Sequence, residues 1–404
     1  MTLLATETIT LTERKPDYND PTTCPTDALV PVPLVEEPAF VSWQQDIPKR
    51  YLEMTPEELE SRIRAARAHL GTKLVILGHH YQRNEVIQYA DFTGDSFKLA
   101  QHAANAEGVE TVLFCGVHFM AESADILTRP DVRVILPNMA AGCSMADMAD
   151  PDDVYEAWDT ITDILGDSAK LIPITYMNSA ASLKAFVGER EGIVCTSSNA
   201  PKTFDYAFER GDKILFFPDQ HLGRNTGWSM GIPLDEMVLW NWRMPNGGLT
   251  EAQIRKAKVI LWQGHCSTHQ RFSVEQIEKA RAEHPDVRVI VHPECRWETV
   301  QAADDNGSTE KIIRAVSESA PGSTWAVGTE INLVNRLAQQ NPDKTVFCLD
   351  PVVCPCSTMY RIHPAYIAWT LESLIGGHPV NDVHVDDETR KWALVALERM
   401  LALV

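Results

Sequence analysis

Along this chain, short apolar runs alternate with stretches of helical period. The runs include KLVILG, TVLFCG, RVILP, KLIPITY, GIVCTS, KILFFP, VILWQG, VRVIVHP, TWAVGT and TVFCLD. They are apolar almost throughout, which marks strands buried on both faces, as in parallel sheets covered by helices. Strand and helix signals in alternation predict an α/β protein. The stretch TPEELESRIRAARAHL predicts a helix, with Thr55 as N-cap, Pro56 at its first position and Glu58 completing a capping box. Residues 1–45 lack this periodicity and are rich in Pro, Thr and acids, so they read as a poorly ordered tail.

The pattern contains an internal repeat. KLVILGHHYQ is a strand leading into His79 and Tyr81, and VRVIVHPECR is a strand leading into His292 and Glu294. The interval from His79 to Cys143 is 64 residues, and so is that from His292 to Cys356. Between them, KLIPITYMNS leads into Tyr176 and Asn178, and Cys266 follows Tyr176 by 90 residues. Each third opens with a strand whose end carries polar groups and closes at a loop carrying a Cys. Functional residues of parallel α/β sheets gather at such strand ends. The repeat divides the chain into 46–150, 151–270 and 271–379, with the C-terminal stretch 380–404 placed beside the first third.

Charge and cysteine usage narrow the chemistry. The chain has 404 residues, with 36 basic against 56 acidic and a net charge of −20, which disfavours nucleic acid and anionic membranes as partners. No apolar run reaches the roughly 20 residues of a membrane span. The start MTLLATETITLTERKPDYND lacks the basic and apolar regions of an export signal, so a cytoplasmic protein is expected. Nine cysteines, an odd number in a long chain, argue against a disulfide framework and towards metal binding or catalysis. Cys115, Cys195 and Cys348 end apolar runs and read as small buried hydrophobes. WQGHCSTHQRF is different, with His265, Cys266 and His269 close together and no C-x-x-C partner, which suggests a transition metal outside the zinc-finger class. One cysteine from each third suits an iron–sulfur cluster. Three thiolates on a four-iron cluster leave one iron open as a Lewis acid. A zinc-dependent hydrolase or lyase and a non-catalytic redox sensor are the competing readings.

The motifs GHHYQ, GDSFKLA, GVHFMAESADIL, AGCSMAD, YMNSAASLKA, TSSNA, PDQHLGR, WQGHCSTHQRF, VHPEC, NGSTEKII, CPCSTMYRI and VHVDDETRKWALVALERML, in this order, resemble the quinolinate synthase family over about positions 60–404. The resemblance implies three similar three-layer α/β/α domains with short parallel sheets, arranged as a pseudo-threefold triangle around a central [4Fe–4S] cluster. It also implies an enzyme of NAD biosynthesis that condenses iminoaspartate with dihydroxyacetone phosphate, releasing phosphate and water. L-aspartate oxidase or aspartate dehydrogenase is then the expected supplier of iminoaspartate.

Matching motifs place cluster ligands at Cys143 and Cys266. For the third, CPCSTMYRI offers Cys354 and Cys356. Met359 lies three residues after Cys356, as in the family's pattern, and the 64-residue interval ends there too; Pro, however, follows Cys354 and not Cys356. Cys356 is therefore the expected ligand. By the same resemblance Tyr81 and Glu294 are acid/base candidates, and His79 and His292 orient substrate or shuttle protons. Ser96, Tyr176, Asn178, Ser197, Ser308 and Thr309 each follow a strand and open a helical pattern, where hydroxyls and free N–H groups hold carboxylate or phosphate without Lys or Arg. His269 is a candidate for the substrate cavity, whereas His265 is expected outside it.

Overall fold

The computed structural model describes residues 46–350, 352 and 355–403; the tail expected over 1–45 and the alternative ligand Cys354 lie outside them. The first sheet holds β1 (Leu74–His79), β2 (Phe92–Gly94), β3 (Thr111–Cys115) and β4 (Arg133–Ile135). The second holds β5 (Leu171–Tyr176), β6 (Ile193–Cys195), β7 (Lys213–Phe217), β8 (Met237–Trp240) and β9 (Val259–Trp262). The third holds β10 (Arg288–Val291), β11 (Asp305–Asn306), β12 (Thr324–Gly328) and β13 (Thr345–Cys348). A last strand, β14 (Asp382–Val383), returns antiparallel to β4 at the edge of the first sheet. The other pairings are parallel.

The three sheets share one winding. The orders β2-β1-β3-β4 and β11-β10-β12-β13 match, and β6-β5-β7-β9-β8 is the same pattern with β8 added at the outer edge. The chain segment that forms β8 accounts for the longer interval between Tyr176 and Cys266. In each sheet the chain leaves its first strand for one side and then crosses to the other. The crevice at the carboxyl ends of the first and third strands is thus a topological switch point, the usual place for a ligand in an open α/β sheet.

Burial follows from period-2 alternation within fully apolar strands. In the third sheet, Val289 and Val291 of β10 pack with Ala326 of β12 beneath Ile277 and Ala280 of one helix. Ile290, Trp325 and Val327 face the opposite way, onto Ile312 and Val316 and onto Leu333, Val334 and Leu337 of two others. The result is a three-layer α/β/α arrangement. The first and second sheets share one larger apolar cluster. The helix Pro56–Leu70 carries the expected capping box, with Thr55 Oγ1 accepting from the Glu58 N–H at 3.3 Å and Glu58 Oε2 accepting from the Thr55 N–H at 2.8 Å.

Residues 380–403 divide between two sheets. β14 extends the first, but the helix Asp387–Ala402 packs on the helix Ala181–Glu189 of the second. Gly188 makes this packing close: a Cβ there would lie 2.0 Å from the Trp392 carbonyl oxygen. Arg399 then donates to the carbonyls of Gly188 at 3.1 Å and Gly192 at 2.7 Å. Because the clash at Gly188 is backbone against side chain, no rotamer change relieves it. Gly188→Ala is therefore expected to lose about 1–3 kcal/mol to overpacking, more than the roughly 0.5–1 kcal/mol that alanine gains in a helix. A lowered denaturant midpoint is the readout; an unchanged or raised midpoint contradicts the close packing.

Candidate functional site

Three cysteine loops repeat one local structure. The carbonyl of Cys143 accepts the Asp147 N–H, that of Cys266 the Gln270 N–H, and that of Cys356 the Tyr360 N–H, each at 3.0 Å. A 3-10 turn begins three residues after each cysteine, at Ala146–Met148, His269–Arg271 and Met359–Arg361. The three side chains line one cavity of about 70 Å³ together with Met145, Met359, Phe119, Met120 and the polar strand ends. Burial pushes all three thiols up, Cys143 to about 12. Thiols so disfavoured as anions are poor nucleophiles unaided; a metal cation is what makes such a group a thiolate. The donor set accordingly fits a metal centre.

The polar side of the cavity is organised around Glu294. Its Oε1 accepts from the Tyr176 hydroxyl at 2.6 Å, and its Oε2 lies 2.7 Å from His269 Nδ1. His269 Nε2 is 3.1 Å from Thr329 Oγ1, which is 2.9 Å from the Tyr81 hydroxyl. Tyr81 also lies 3.3 Å from Thr309 Oγ1. With a neutral imidazole, one polarity satisfies every atom: Tyr81 donates to Thr329, Thr329 to His269 Nε2, and His269 Nδ1–H to Glu294. This chain joins the ends of β1, β5, β10 and β12 with the loop after β9, so all three sheets contribute.

Two histidines at equivalent strand ends are fixed in the same way. His79 Nδ1 accepts the Tyr81 N–H at 3.1 Å, and His292 Nδ1 accepts the Glu294 N–H at 3.3 Å. That assigns the proton to Nε2 in both. Burial, then the neighbouring His80, holds His79 well below its ordinary range; burial, then His269, brings His292 to about 3. Both are therefore neutral N–H donors. His292 also stacks on His269 with ring centres 4.3 Å apart. Burial raises the Glu294 carboxyl, but the hydrogen bonds from His269 and Tyr176 oppose it, and the balance holds the group below its ordinary range. Burial and the Glu294 charge push the Tyr81 and Tyr176 hydroxyls well above 10.0. The site thus pairs an ionised carboxylate with protonated phenols.

Of the residues singled out in the sequence, His79, Tyr81, Ser96, Tyr176, Asn178, Ser197, His269, His292, Glu294 and Thr309 line this cavity with the three cysteines. Ser308 does not. It caps the helix Thr309–Ser317 and lines an adjoining cleft of about 470 Å³ with Ser197, Ser198 and Glu310. His265 also stays outside, its N–H on Met148 Sδ at 3.4 Å. Three further residues join them in the folded structure. Thr329 is the middle of the hydrogen-bonded chain. Fully buried Glu330, pushed up to about 7 by burial, caps the helix Ile331–Gln340 and accepts the Cys356 N–H at 3.4 Å. Asn225, buried in the helix Gln220–Ser229, donates to the carbonyls of Pro293 at 2.8 Å and Cys295 at 2.9 Å, clasping the backbone on both sides of Glu294. Thr329 ends the run TWAVGT and Glu330 follows it, so the strand-end rule applied to third strands finds them. Asn225 sits inside a helix and carries no such signal.

Comparison with known proteins adds a family. The model of the quinolinate synthetase A protein family matches residues 61–402. The quinolinate synthase of Corynebacterium glutamicum is 59% identical over 367 residues, covering 91% of this chain and 93% of the relative. That of Acidobacterium capsulatum is 54% identical over 355 residues, covering 87% and 95%, and that of Streptomyces coelicolor is 55% identical over 349 residues, covering 86% and 88%.

Asn225→Leu keeps the side-chain volume and removes the clasp. Misplacing a reacting group by an ångström costs about 10²-fold in rate. Asn225→Leu is expected to lower turnover by about that factor with KM little changed. Wild-type turnover in a folded Asn225→Leu protein would show that Glu294 is held in place without it.

Proposed function

The chain belongs to the quinolinate synthase family of enzymes, and on that premise we propose that it condenses iminoaspartate with dihydroxyacetone phosphate into quinolinate, releasing phosphate and two waters. The observation that carries this reading is the triplicate cysteine turn opening onto the same cavity as Tyr81 and Glu294. Cys143, Cys266 and Cys356 would hold a [4Fe–4S] cluster, which supplies a Lewis acid for a substrate oxygen through the iron that has no protein ligand. The equivalence of the three turns favours Cys356 as the third ligand.

The chain's own groups divide the remaining work. Both substrates are anions, and the cavity meets them with neutral donors: Nε2–H of His79 and His292, the hydroxyls of Ser96, Ser197 and Thr309, and the amide of Asn178. Ser96 opens a helix capped by Asp95, and Thr309 opens one capped by Ser308. The cleft beside Ser308 gives a route for the phosphate-bearing substrate. Ring closure requires protons to leave carbon and nitrogen and to reach departing oxygens. Glu294, ionised, accepts them. Tyr81, held protonated, donates them, and the Thr329–His269 connection, with the imidazole proton moved to Nε2 and the hydrogen bonds reversed, returns the proton from Glu294 to Tyr81. General acid/base groups of this kind contribute about 10²–10⁴-fold. Tyr176 stays bonded to Glu294 and orients it.

No helix among the described residues is long and apolar enough to cross a membrane. We infer a cytoplasmic enzyme that receives iminoaspartate from L-aspartate oxidase or aspartate dehydrogenase.

The direct test is an anaerobic assay of the iron-loaded protein with both substrates, with quinolinate as the product read. Formation of quinolinate is expected, and its absence from protein carrying iron and sulfide contradicts the reading. Glu294→Gln should keep iron and sulfide while turnover falls by about 10²–10⁴-fold; near-normal turnover removes Glu294 from the proton transfers. Cys356→Ser should lose the iron and Cys354→Ser should keep most of it. The reverse outcome moves the third ligand to Cys354.

A further inference from the structure

We propose that the metal-free chain carries a second, mononuclear metal site, formed by Cys266, His269 and Glu294, that takes a single zinc-like divalent cation and thereby blocks cluster loading. Only the blocking clause rests on the cluster reading above; the site itself rests on geometry.

The three cysteine turns are alike, but their third following residues are not. They are Ala146, His269 and Met359. Only the loop at Cys266 adds a nitrogen ligand to its thiol, from the first residue of the 3-10 turn that follows. Glu294 approaches from the third sheet, and the ligand atoms of all three residues lie within 4.8 Å of one another. In a tetrahedral zinc shell, donors sit roughly 3.4–3.6 Å apart, given the usual zinc–ligand bond lengths. Cys266 has to close in by an ångström or so, and the 2.7 Å His269–Glu294 contact has to widen by less than that. Side-chain rotation covers both.

The supporting contacts are those of a built metal site. Metal-bound histidines usually pass their second ring nitrogen to a hydrogen-bond partner, and bound carboxylates are themselves hydrogen-bonded. Here Thr329 Oγ1 stands 3.1 Å from His269 Nε2, and the Tyr176 hydroxyl holds Glu294 Oε1 at 2.6 Å. On binding, the ion takes His269 Nδ1 in place of the proton shared with Glu294. That proton passes to Nε2, where it is donated to Thr329, and the thiol proton of Cys266 leaves to solvent. A thiolate, a carboxylate, a neutral imidazole and a dication sum to zero charge, which suits a buried site. Three protein ligands leave a fourth position open. Because Cys266 is shared, the ion and a cluster exclude each other.

The test titrates full-length, metal-free protein with Co²⁺ under anaerobic conditions, as a coloured substitute for zinc. One ion per chain, tetrahedral ligand-field bands and a sulfur-to-cobalt charge-transfer band are expected. All should persist in Cys143→Ser and Cys356→Ser and vanish in Cys266→Ser and His269→Ala, with far-ultraviolet circular dichroism unchanged. Thr329→Val, which leaves the three ligands in place, should weaken cobalt binding by about 10–100-fold. Cobalt-loaded wild type should also resist reconstitution with iron and sulfide. Loss of the charge-transfer band in folded Cys143→Ser or Cys356→Ser assigns the ion to the three cysteines and overturns the proposal, as does absence of binding to wild type. Iron and sulfide loading of untreated wild type, read in parallel, tests the cluster reading separately.

Discussion

The Glu294 carboxylate is the constraint on which the site depends. It is 3% exposed, and desolvating a carboxylate costs several kcal/mol unless its partners are well placed. Two bonds to the charged group, at about 1.5–3 kcal/mol each, are of the size needed to offset that cost. They come from Tyr176 at the end of β5 and His269 after β9, while the carboxylate itself follows β10. The first sheet enters through Tyr81, which reaches the same chain at Thr329. Removing any of these groups leaves a buried polar atom without its partner. The three sheets therefore meet through one buried carboxylate and its hydrogen-bonded partners.

The repeat explains how such a site arises from one winding used three times. Each copy supplies a polar first-strand end and a cysteine turn. The copies differ at the strand-end positions that line the cavity. The first-strand ends carry His79 and Tyr81, Tyr176 and Asn178, and His292 and Glu294, so a nearly threefold frame encloses an asymmetric site. His79 and His292 keep the same backbone-fixed tautomer in two of the copies, whereas the equivalent place in the second carries a phenol. Glu330, tied to the Cys356 N–H, shows that even the cysteine turns have individual supports.

Much of this was legible in the sequence, for a physical reason. Strands of covered parallel sheets are buried on both faces, so they appear as continuous apolar runs, and the ten runs became the eight interior strands together with the edge strands β6 and β13. The strands that left no signal, β2, β8, β11 and β14, all lie at sheet edges. There one side lacks a neighbour, and a few mixed residues such as Asp305 and Asn306 suffice. The split of residues 380–403 between two sheets was equally hidden, because helical period shows which face is apolar and not what it meets. Among site residues, those directly after a first strand were readable by rule. Asn225 acts through backbone carbonyls on another element, and Ser308 opens onto the adjoining cleft; contacts of that kind exist only after folding.

The central claim is that Glu294 is ionised at the meeting point of the three sheets. The most direct measurement is the infrared difference spectrum between wild type and Glu294→Gln at neutral pH, with [13C]glutamate labelling to isolate side-chain carboxyl bands. The expected result is loss of a carboxylate antisymmetric stretch, shifted by hydrogen bonding and further shifted in Tyr176→Phe. Loss of a protonated carboxyl C=O stretch instead, or a carboxylate band insensitive to Tyr176→Phe, would contradict the account.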